Sequence, residues 1–134
     1  MLIPNKKLLT EFRAPGLCGL CGCSCTLREP HHYRTVGACG GHIDIRINMI
    51  PLGSTRAFQC DCHAKVHSGR VSANQVLERI AARERVRPED IVAVMDFLIR
   101  LVKPSKAQLL LRREELPGGA KQLAVRELEE AKRL

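Results

Sequence analysis

The sequence predicts an α+β fold in which a small cysteine- and histidine-rich core precedes a mainly helical C-terminal region. Residues 16–70 are rich in Gly, Cys and His and lack helical periodicity until their end, whereas residues 71–134 carry apolar side chains at helical spacing. Aromatic residues make up only 3% of the chain. A small domain with so few large apolar side chains has a limited core and often needs a disulfide bond or a structural metal site to stabilise it. The seven cysteines could provide either.

The first 70 residues are expected to hold short elements. The segment NKKLLTEFRA (5–14) predicts a helical lead-in that Pro15 and Gly16 stop. IDIRINMI (43–50) alternates apolar and polar positions, which predicts a strand. CHAKVHSGR (62–70) predicts a short helix that ends at Gly69.

The remaining 64 positions, residues 71–134, predict helices. Ser72 is placed to cap a helix over ANQVLERIAARERV, and Pro88 with two acids behind it is a good helix start. That second helix is expected to end at Lys103-Pro104 and to bury the residues that repeat at helical spacing: Ile91, Val94, Met95, Leu98, Leu101 and Val102. A leucine-rich segment, AQLLLRREEL, follows.

The end of the chain is more charged than the helices that precede it and is separated from them by Pro and Gly residues. Pro117-Gly118-Gly119 is expected to break the structure, and the charged tail KQLAVRELEEAKRL predicts a solvated helix. Two domains are therefore predicted, a core over residues 1–70 and a helical region over residues 71–134 that packs on the core or docks a partner.

Charge and hydropathy narrow the function class. The net charge is +8, which favours a polyanionic partner, and nucleic acid is the foremost candidate. The N-terminus has no long apolar run and no stretch reaches the roughly 18–20 apolar residues of a membrane span. A cytoplasmic protein with no membrane association is the resulting expectation.

Cysteine spacing predicts a structural zinc site. Cys18 and Cys21 form a Cys-x-x-Cys knuckle, a spacing that lets two thiolates hold one tetrahedral metal, and Cys60 and Cys62 supply two further thiols. Four thiolates fill all four coordination positions of the zinc ion, so its role would be structural and not catalytic. Two alternatives stay open: Cys23 or Cys25 could replace one of these ligands, and the knuckle could be a redox pair. Cys39 reads as a buried side chain or a spare ligand.

The histidines fall into two tight groups. His63 and His67 are four residues apart, so both imidazoles project from one side of a helix and form half of a divalent-metal site. His31 and His32 are adjacent, and neighbouring side chains of an extended segment point to opposite sides. The second pair therefore favours two different roles, one as a metal ligand and one in acid–base chemistry.

Taken in order, these residues resemble the HNH endonuclease family, most of all its small phage and bacterial type with a zinc knuckle before the motif. The resemblance covers roughly residues 11–70. The matching positions are Glu29-Pro30-His31-His32, Gly37-Ala38-Cys39-Gly40-Gly41, Asp44, Asn48 with MIPL, and His63-x-x-x-His67.

The resemblance implies a ββα-metal site and a role for each residue. His32 would be the general base, and Asn48 on the second strand would orient His32 or its loop. His31, His63 and His67 would bind the catalytic divalent cation. Asp44 would order the loop. The activity implied is hydrolysis of DNA phosphodiester bonds to 5′-phosphate and 3′-hydroxyl ends, and nitrogen ligands admit Mn²⁺, Ni²⁺ or Co²⁺ beside Mg²⁺.

The chain departs from the family at the second cysteine pair. The family commonly has a Cys directly after the N-x-I-P-L run, where this chain has Gly53, and the segment STRAFQ separates that position from Cys60. We interpret this segment as an insertion that relocates the ligand, and Cys60 is the fourth thiolate we expect.

Basic residues near the motif are the candidate DNA contacts. Scarce aromatic residues favour backbone contacts to double-stranded DNA over stacking on unpaired bases. The candidates are Arg34, Arg46, Arg56, Lys65 and Arg70. His42 is placed equally well to face the cleft or to have no role.

The resemblance also suggests a phage-infected or bacterial host cell, a partner in the phage DNA-packaging (terminase) machinery, and nicking by a monomer or weak dimer. Two other function classes stay open: a non-catalytic zinc-containing nucleic-acid-binding module of degenerate HNH fold, and a thiol redox protein.

Overall fold

A computed structural model of the chain describes residues 3–54, 60–101 and 104–132. It has mixed α+β structure with small antiparallel sheets and a helical C-terminal region, which confirms the predicted fold class at that level. The elements are α1 (Lys6–Arg13), β1 (Gly16–Leu17), β2 (Ser24–Cys25), β3 (Arg28–His32), α2 (Val36–Cys39), a 3₁₀ turn (Arg46–Asn48), β4 (Met49–Gly53), α3 (Cys62–His67), α4 (Ala73–Glu84), α5 (Pro88–Ile99), α6 (Pro104–Arg112) and α7 (Gly118–Lys132).

Two two-stranded antiparallel sheets organise the first part of the chain. Strands β1 and β2 form a hairpin in which Gly16 lies opposite Cys25. Strands β3 and β4 pair so that His31 lies opposite Ile50 and His32 opposite Met49. Helix α3 follows in the chain and packs against β4, so two strands and a helix surround the histidines.

The predicted strand over residues 43–50 begins later than expected. Only its last two residues belong to β4, while Ile43 forms a single bridge with Ile3 and the 3₁₀ turn precedes the strand. The alternating isoleucines Ile43, Ile45 and Ile47 are all buried. The period-two pattern therefore marked the buried isoleucines, but Asp44 and Asn48 between and after them are buried as well. The backbone of this segment closes a turn (Asn48 N–H to Ile45 O, 3.0 Å) instead of continuing a ladder.

Helices α4 and α5 confirm their predicted start signals. The Ser72 hydroxyl accepts the Gln75 N–H at 3.2 Å, and the Gln75 side chain accepts the Ser72 N–H at 2.8 Å, which makes a capping box. Pro88 is the first residue of α5. Helix α5 ends at Ile99; Val102 and Lys103 lie outside the described residues.

The prediction of a solvated tail is wrong. Helix α7 begins directly after Pro117, so Gly118 and Gly119 form its first turn instead of breaking the structure. A Cβ on Gly119 would come within 2.7 Å of the Asp90 carboxylate, which shows how closely α7 approaches α5. The buried residues of α7 are Ala120, Leu123, Ala124, Glu127 and Leu128. Small alanines at helical spacing made this stripe hard to see among the charges.

Buried residues from both parts of the chain form one contiguous cluster, from Ile3 to Leu128. A second, small cluster joins Leu8 and Phe12 of α1 to Met49 of β4. The helical region thus packs on the core, while the division at residue 70 stays a prediction. Within the described part of the chain, no helix has the length and apolar character needed to cross a membrane.

Candidate metal and acid–base site

Three of the predicted ligands converge on one point. His31 projects from β3, and His63 and His67 project from successive turns of α3; the candidate ligand nitrogens of all three lie within 4.8 Å of one another. The Nε2 atoms of His63 and His67 are 2.9 Å apart. The His31 ring centroid is 5.5 Å from that of His67. We call these three residues the His site.

Burial favours the neutral form of two imidazoles of the His site, those of His31 and His63. Desolvation lowers the pKa of His31 to about 4, assisted by the neighbouring imidazoles of His67 and His63. Burial also lowers the pKa of His63, although the nearby Glu29 carboxylate opposes the shift. A neutral imidazole has a free ring-nitrogen lone pair, so these two groups can bind a cation at neutral pH.

Glu29 gives His63 a fixed orientation. Its carboxylate lies 3.4 Å from His63 Nδ1, the nitrogen that faces away from His67. Carboxylates that hold the outer nitrogen of a ligand histidine fix the ring and raise its basicity. Glu29 belongs to the motif Glu29-Pro30-His31-His32, but no role was predicted for it from the sequence.

His32 makes a separate contact with a buried acid. Its Nε2 lies 2.7 Å from Oδ1 of Asp44, whose side chain is only 2% exposed. The other carboxylate oxygen of Asp44 accepts the Asn5 N–H at 3.2 Å. Burial raises the pKa of Asp44, but the hydrogen bonds from His32 and Asn5 outweigh this effect, and the net pKa lies below the usual value. Asp44 is therefore an acceptor at neutral pH.

The His32–Asp44 contact fixes which nitrogen can act as a base. An ionised carboxylate only accepts hydrogen bonds, so Nε2 of His32 carries the proton and Nδ1 keeps its lone pair. From the sequence, Asn48 was expected to orient His32 or its loop, and Asp44 was expected to order the loop. In the structure, the side chain that contacts the His32 ring is Asp44. His42 lies nearby, 56% exposed, with Nδ1 3.9 Å from Asp44.

Asn48 holds the loop that follows His32. Its side chain accepts the Arg34 N–H at 2.7 Å and donates to the carbonyls of Arg34 (3.2 Å) and Ile43 (3.0 Å). Its own carbonyl accepts the Tyr33 N–H at 2.7 Å. The prediction that it lies on the second strand is wrong by one position, because Asn48 ends the 3₁₀ turn before β4.

The four predicted zinc ligands also come together. The sulfurs of Cys18, Cys21, Cys60 and Cys62 lie within 4.8 Å of one another, an arrangement that could hold a metal ion such as zinc. Burial raises the pKa of Cys62 to about 12 and that of Cys60 further. A bound cation would supply the charge that keeps such thiolates deprotonated.

Local backbone geometry brings these cysteines into reach. The β1–β2 hairpin turns back through Gly22, whose φ of +75° suits glycine, and its N–H bonds to the Cys18 carbonyl at 3.0 Å. A Cβ on Gly53 would overlap the Cys60 sulfur. The Cys60 thiol therefore lies close to where a side chain at position 53 would be, which supports the interpretation of a relocated ligand.

The cysteine group is linked directly to the His site. Cys62 is the first residue of α3 and His63 is the second. Any metal held by the cysteines would fix the start of the helix that carries two of the three histidines. Cys39 is separate: its buried thiol points to the Arg34 carbonyl at 3.6 Å.

The predicted DNA contacts differ in their availability. Arg70 is exposed, and Lys65 is partly exposed and pairs with Asp61 at 3.2 Å on the same helix. Arg34 lies over the Tyr33 ring and pairs with Asp96 at 3.2 Å. Arg56 lies outside the described residues.

Arg46 is engaged most strongly. It pairs with Glu11 at 2.7 Å and with Glu130 at 2.6 Å. A phosphate contact would have to displace one of these carboxylates, so Arg46 is the weakest of the predicted contacts.

An open recess lies beside the His site. It has a volume of about 260 Å³ and is lined by His31, Tyr33, Thr35, Val66, His67, Val71, Ala73 and Val76. Its lining combines mostly apolar side chains with two of the three imidazoles of the His site.

Comparison of the chain with protein-family models, with curated proteins and with solved structures found no match.

Proposed function

We propose that the protein is a divalent-metal-dependent endonuclease of the HNH type that hydrolyses phosphodiester bonds in DNA. The observation that carries the proposal is the convergence of His31, His63 and His67 beside a separate, oriented His32–Asp44 pair. A set of imidazole ligands together with a histidine base held by a buried carboxylate is the equipment that metal-assisted hydrolysis requires.

The residues of the His site suit a divalent cation. Three nitrogen donors leave further coordination positions for water and a phosphate oxygen, and such ligands favour Mn²⁺, Ni²⁺ or Co²⁺ beside Mg²⁺. When bound, the cation would neutralise charge on the scissile phosphate and on the leaving 3′ oxygen.

Proton transfer is the task of His32. Its free Nδ1 accepts a proton from the attacking water, and the Asp44 carboxylate stabilises the imidazolium that forms. The resulting hydroxide attacks phosphorus in line with the 3′ oxygen, and the bond from phosphorus to that oxygen breaks. The leaving oxygen takes a proton from solvent, so the products carry 5′-phosphate and 3′-hydroxyl ends. Asn48 contributes indirectly, because it fixes the backbone of the loop that follows His32.

The substrate we propose is double-stranded DNA. A net charge of +8 favours association with the phosphate backbone, and the scarcity of aromatic residues leaves little means to stack on unpaired bases. Arg70 is exposed, and Arg34 and Lys65 each pair with a single carboxylate, so we propose these three residues as the phosphate contacts in preference to Arg46, which pairs with two. Weak sequence preference, with nicking by one molecule, follows from contacts of this kind.

Plasmid cleavage tests the proposal. Purified protein is incubated with supercoiled plasmid in Mg²⁺, Mn²⁺ or EDTA, beside His32→Ala and the matched control His42→Ala. The expected result is cation-dependent conversion to open-circular DNA that is lost in His32→Ala and kept in His42→Ala. Equal cleavage by both variants would overturn the role of His32. Retained DNA binding and zinc with no cleavage by the wild type would favour the non-catalytic binding module.

A further inference from the structure

Three thiols remain once the four predicted zinc ligands are counted. Cys39 lies apart from the others, whereas Cys23 and Cys25 lie beside the predicted zinc ligands. Cys23 and Cys25 have sulfurs 3.5 Å apart. With Cys60 they form a second group whose ligand atoms all lie within 4.8 Å of one another. Cys60 thus belongs to both groups of thiols.

Because Cys60 is a member of each group, the two groups form one continuous set of six sulfurs that meet at Cys60.

Gly53 leaves the space in which these sulfurs meet. A Cβ at this position would overlap the Cys60 sulfur and would come within 3.1 Å of the Cys25 sulfur. No side chain larger than hydrogen fits between them without displacing one. The end of β4 is thus shaped around the thiols of both groups.

We propose that the six cysteines form one binuclear zinc–thiolate centre in which Cys60 bridges both ions. Cys18, Cys21 and Cys62 complete the coordination of one ion, and Cys23 and Cys25 bind the other together with Cys60. Two tetrahedral ions need eight ligand positions. Six thiolates of which one is shared fill seven of these positions, and a water molecule fills the eighth.

Charge balance favours the second ion. One zinc on four thiolates has a net charge of −2, since four negative thiolates meet one dication. Two zinc ions on six thiolates also have a net charge of −2. The second ion enters as the Cys23 and Cys25 thiols release two protons to solvent, so the partly buried centre takes up a metal without gaining charge.

The number of thiolate-bound metal ions tests this proposal independently of nuclease activity. The reduced full-length chain is titrated with Co²⁺ under anaerobic conditions, and the thiolate-to-cobalt charge-transfer absorption is followed. This band reports thiolate ligands only, so ions bound at the His site do not contribute. The expected endpoint is two equivalents, and an endpoint at one equivalent for the wild type would overturn the proposal.

Variants assign the second ion to its ligands. Cys23→Ser/Cys25→Ser is expected to lower the endpoint from two equivalents to one, while the control Cys39→Ser keeps two. An unchanged endpoint in the double variant would contradict the assignment. Cadmium NMR of the wild type then tests the bridge: two resonances coupled to each other are expected through a shared sulfur, and two uncoupled resonances would contradict it.

Discussion

Replacing Gly53 with alanine tests whether the cysteine group is built around this position. The added Cβ would overlap the Cys60 sulfur and press on that of Cys25 at 3.1 Å. Cys60 and Cys25 are held in place by other parts of the chain, so the overlap must be relieved by moving one of these two thiols or the end of β4. Overpacking of this kind costs about 1–3 kcal/mol.

That free energy has a direct readout in metal affinity. A cost of about 1–3 kcal/mol that falls on the metal-bound state corresponds to roughly a 5- to 150-fold loss of zinc affinity. Competition with a chromophoric chelator measures it. Gly37→Ala is the matched control, because a Cβ at Gly37 meets nothing within 4 Å.

The comparison of the two alanine variants decides the outcome. Gly53→Ala should bind zinc more weakly, and Gly37→Ala should match the wild type. Equal affinity in all three proteins would show that the sulfur positions do not depend on the space at Gly53, and the reasoning on the relocated Cys60 ligand would fail.

Three further predictions concern stability. Asn48→Ala removes three hydrogen bonds from a fully buried side chain and should lower the free energy of unfolding in urea by about 2–4 kcal/mol; a loss well below this range would show that the loop is held by other contacts. Burial raises the pKa of Glu127, against the hydrogen bond from Arg126, so its protonated form stabilises the fold in acid and this contribution is lost as pH rises through the folded pKa. Glu127→Gln should therefore raise the melting temperature at neutral pH but not in acid, and an equal effect at both would contradict this. His31 has the opposite sign: its folded pKa is about 4 against an ordinary 6.5, so the unfolded chain binds the proton first and stability falls as pH drops between these values. His31→Gln should flatten that part of the stability–pH curve, and an unchanged slope would argue against a buried neutral imidazole.

Local signals in the sequence predicted local structure well. Ser72 with Gln75 and Pro88 with its following acids mark helix starts through contacts within a few residues, and both helices begin there. The i, i+4 histidines share one side of α3 for the same reason. The Cys-x-x-Cys spacing of Cys18 and Cys21, with two further thiols at Cys60 and Cys62, predicted the group that the structure brings together.

Features that depend on distant contacts could not be read in the same way. The alternation in IDIRINMI marks the buried isoleucines. It shows neither that Asp44 and Asn48 are buried as well nor whether the backbone pairs with a strand or with Ile3. Arg46 looks like a free cation in sequence, yet Glu130, 84 residues away, pairs with it. The Asp44–His32 contact joins residues 12 apart across the loop after β3, and only the fold shows that Asp44 contacts the His32 ring while Asn48 holds the loop.

The concentration of Mn²⁺ required for plasmid nicking tests the central claim most directly. The initial rate of nicking is measured across a Mn²⁺ titration for the wild type, for His67→Ala and for the His31→Ala/His67→Ala double variant. We expect saturable Mn²⁺ dependence in the wild type, a higher Mn²⁺ requirement in the single variant and no activity in the double variant. Nicking that keeps the same Mn²⁺ dependence after both ligands are lost would show that the His site does not bind the catalytic cation.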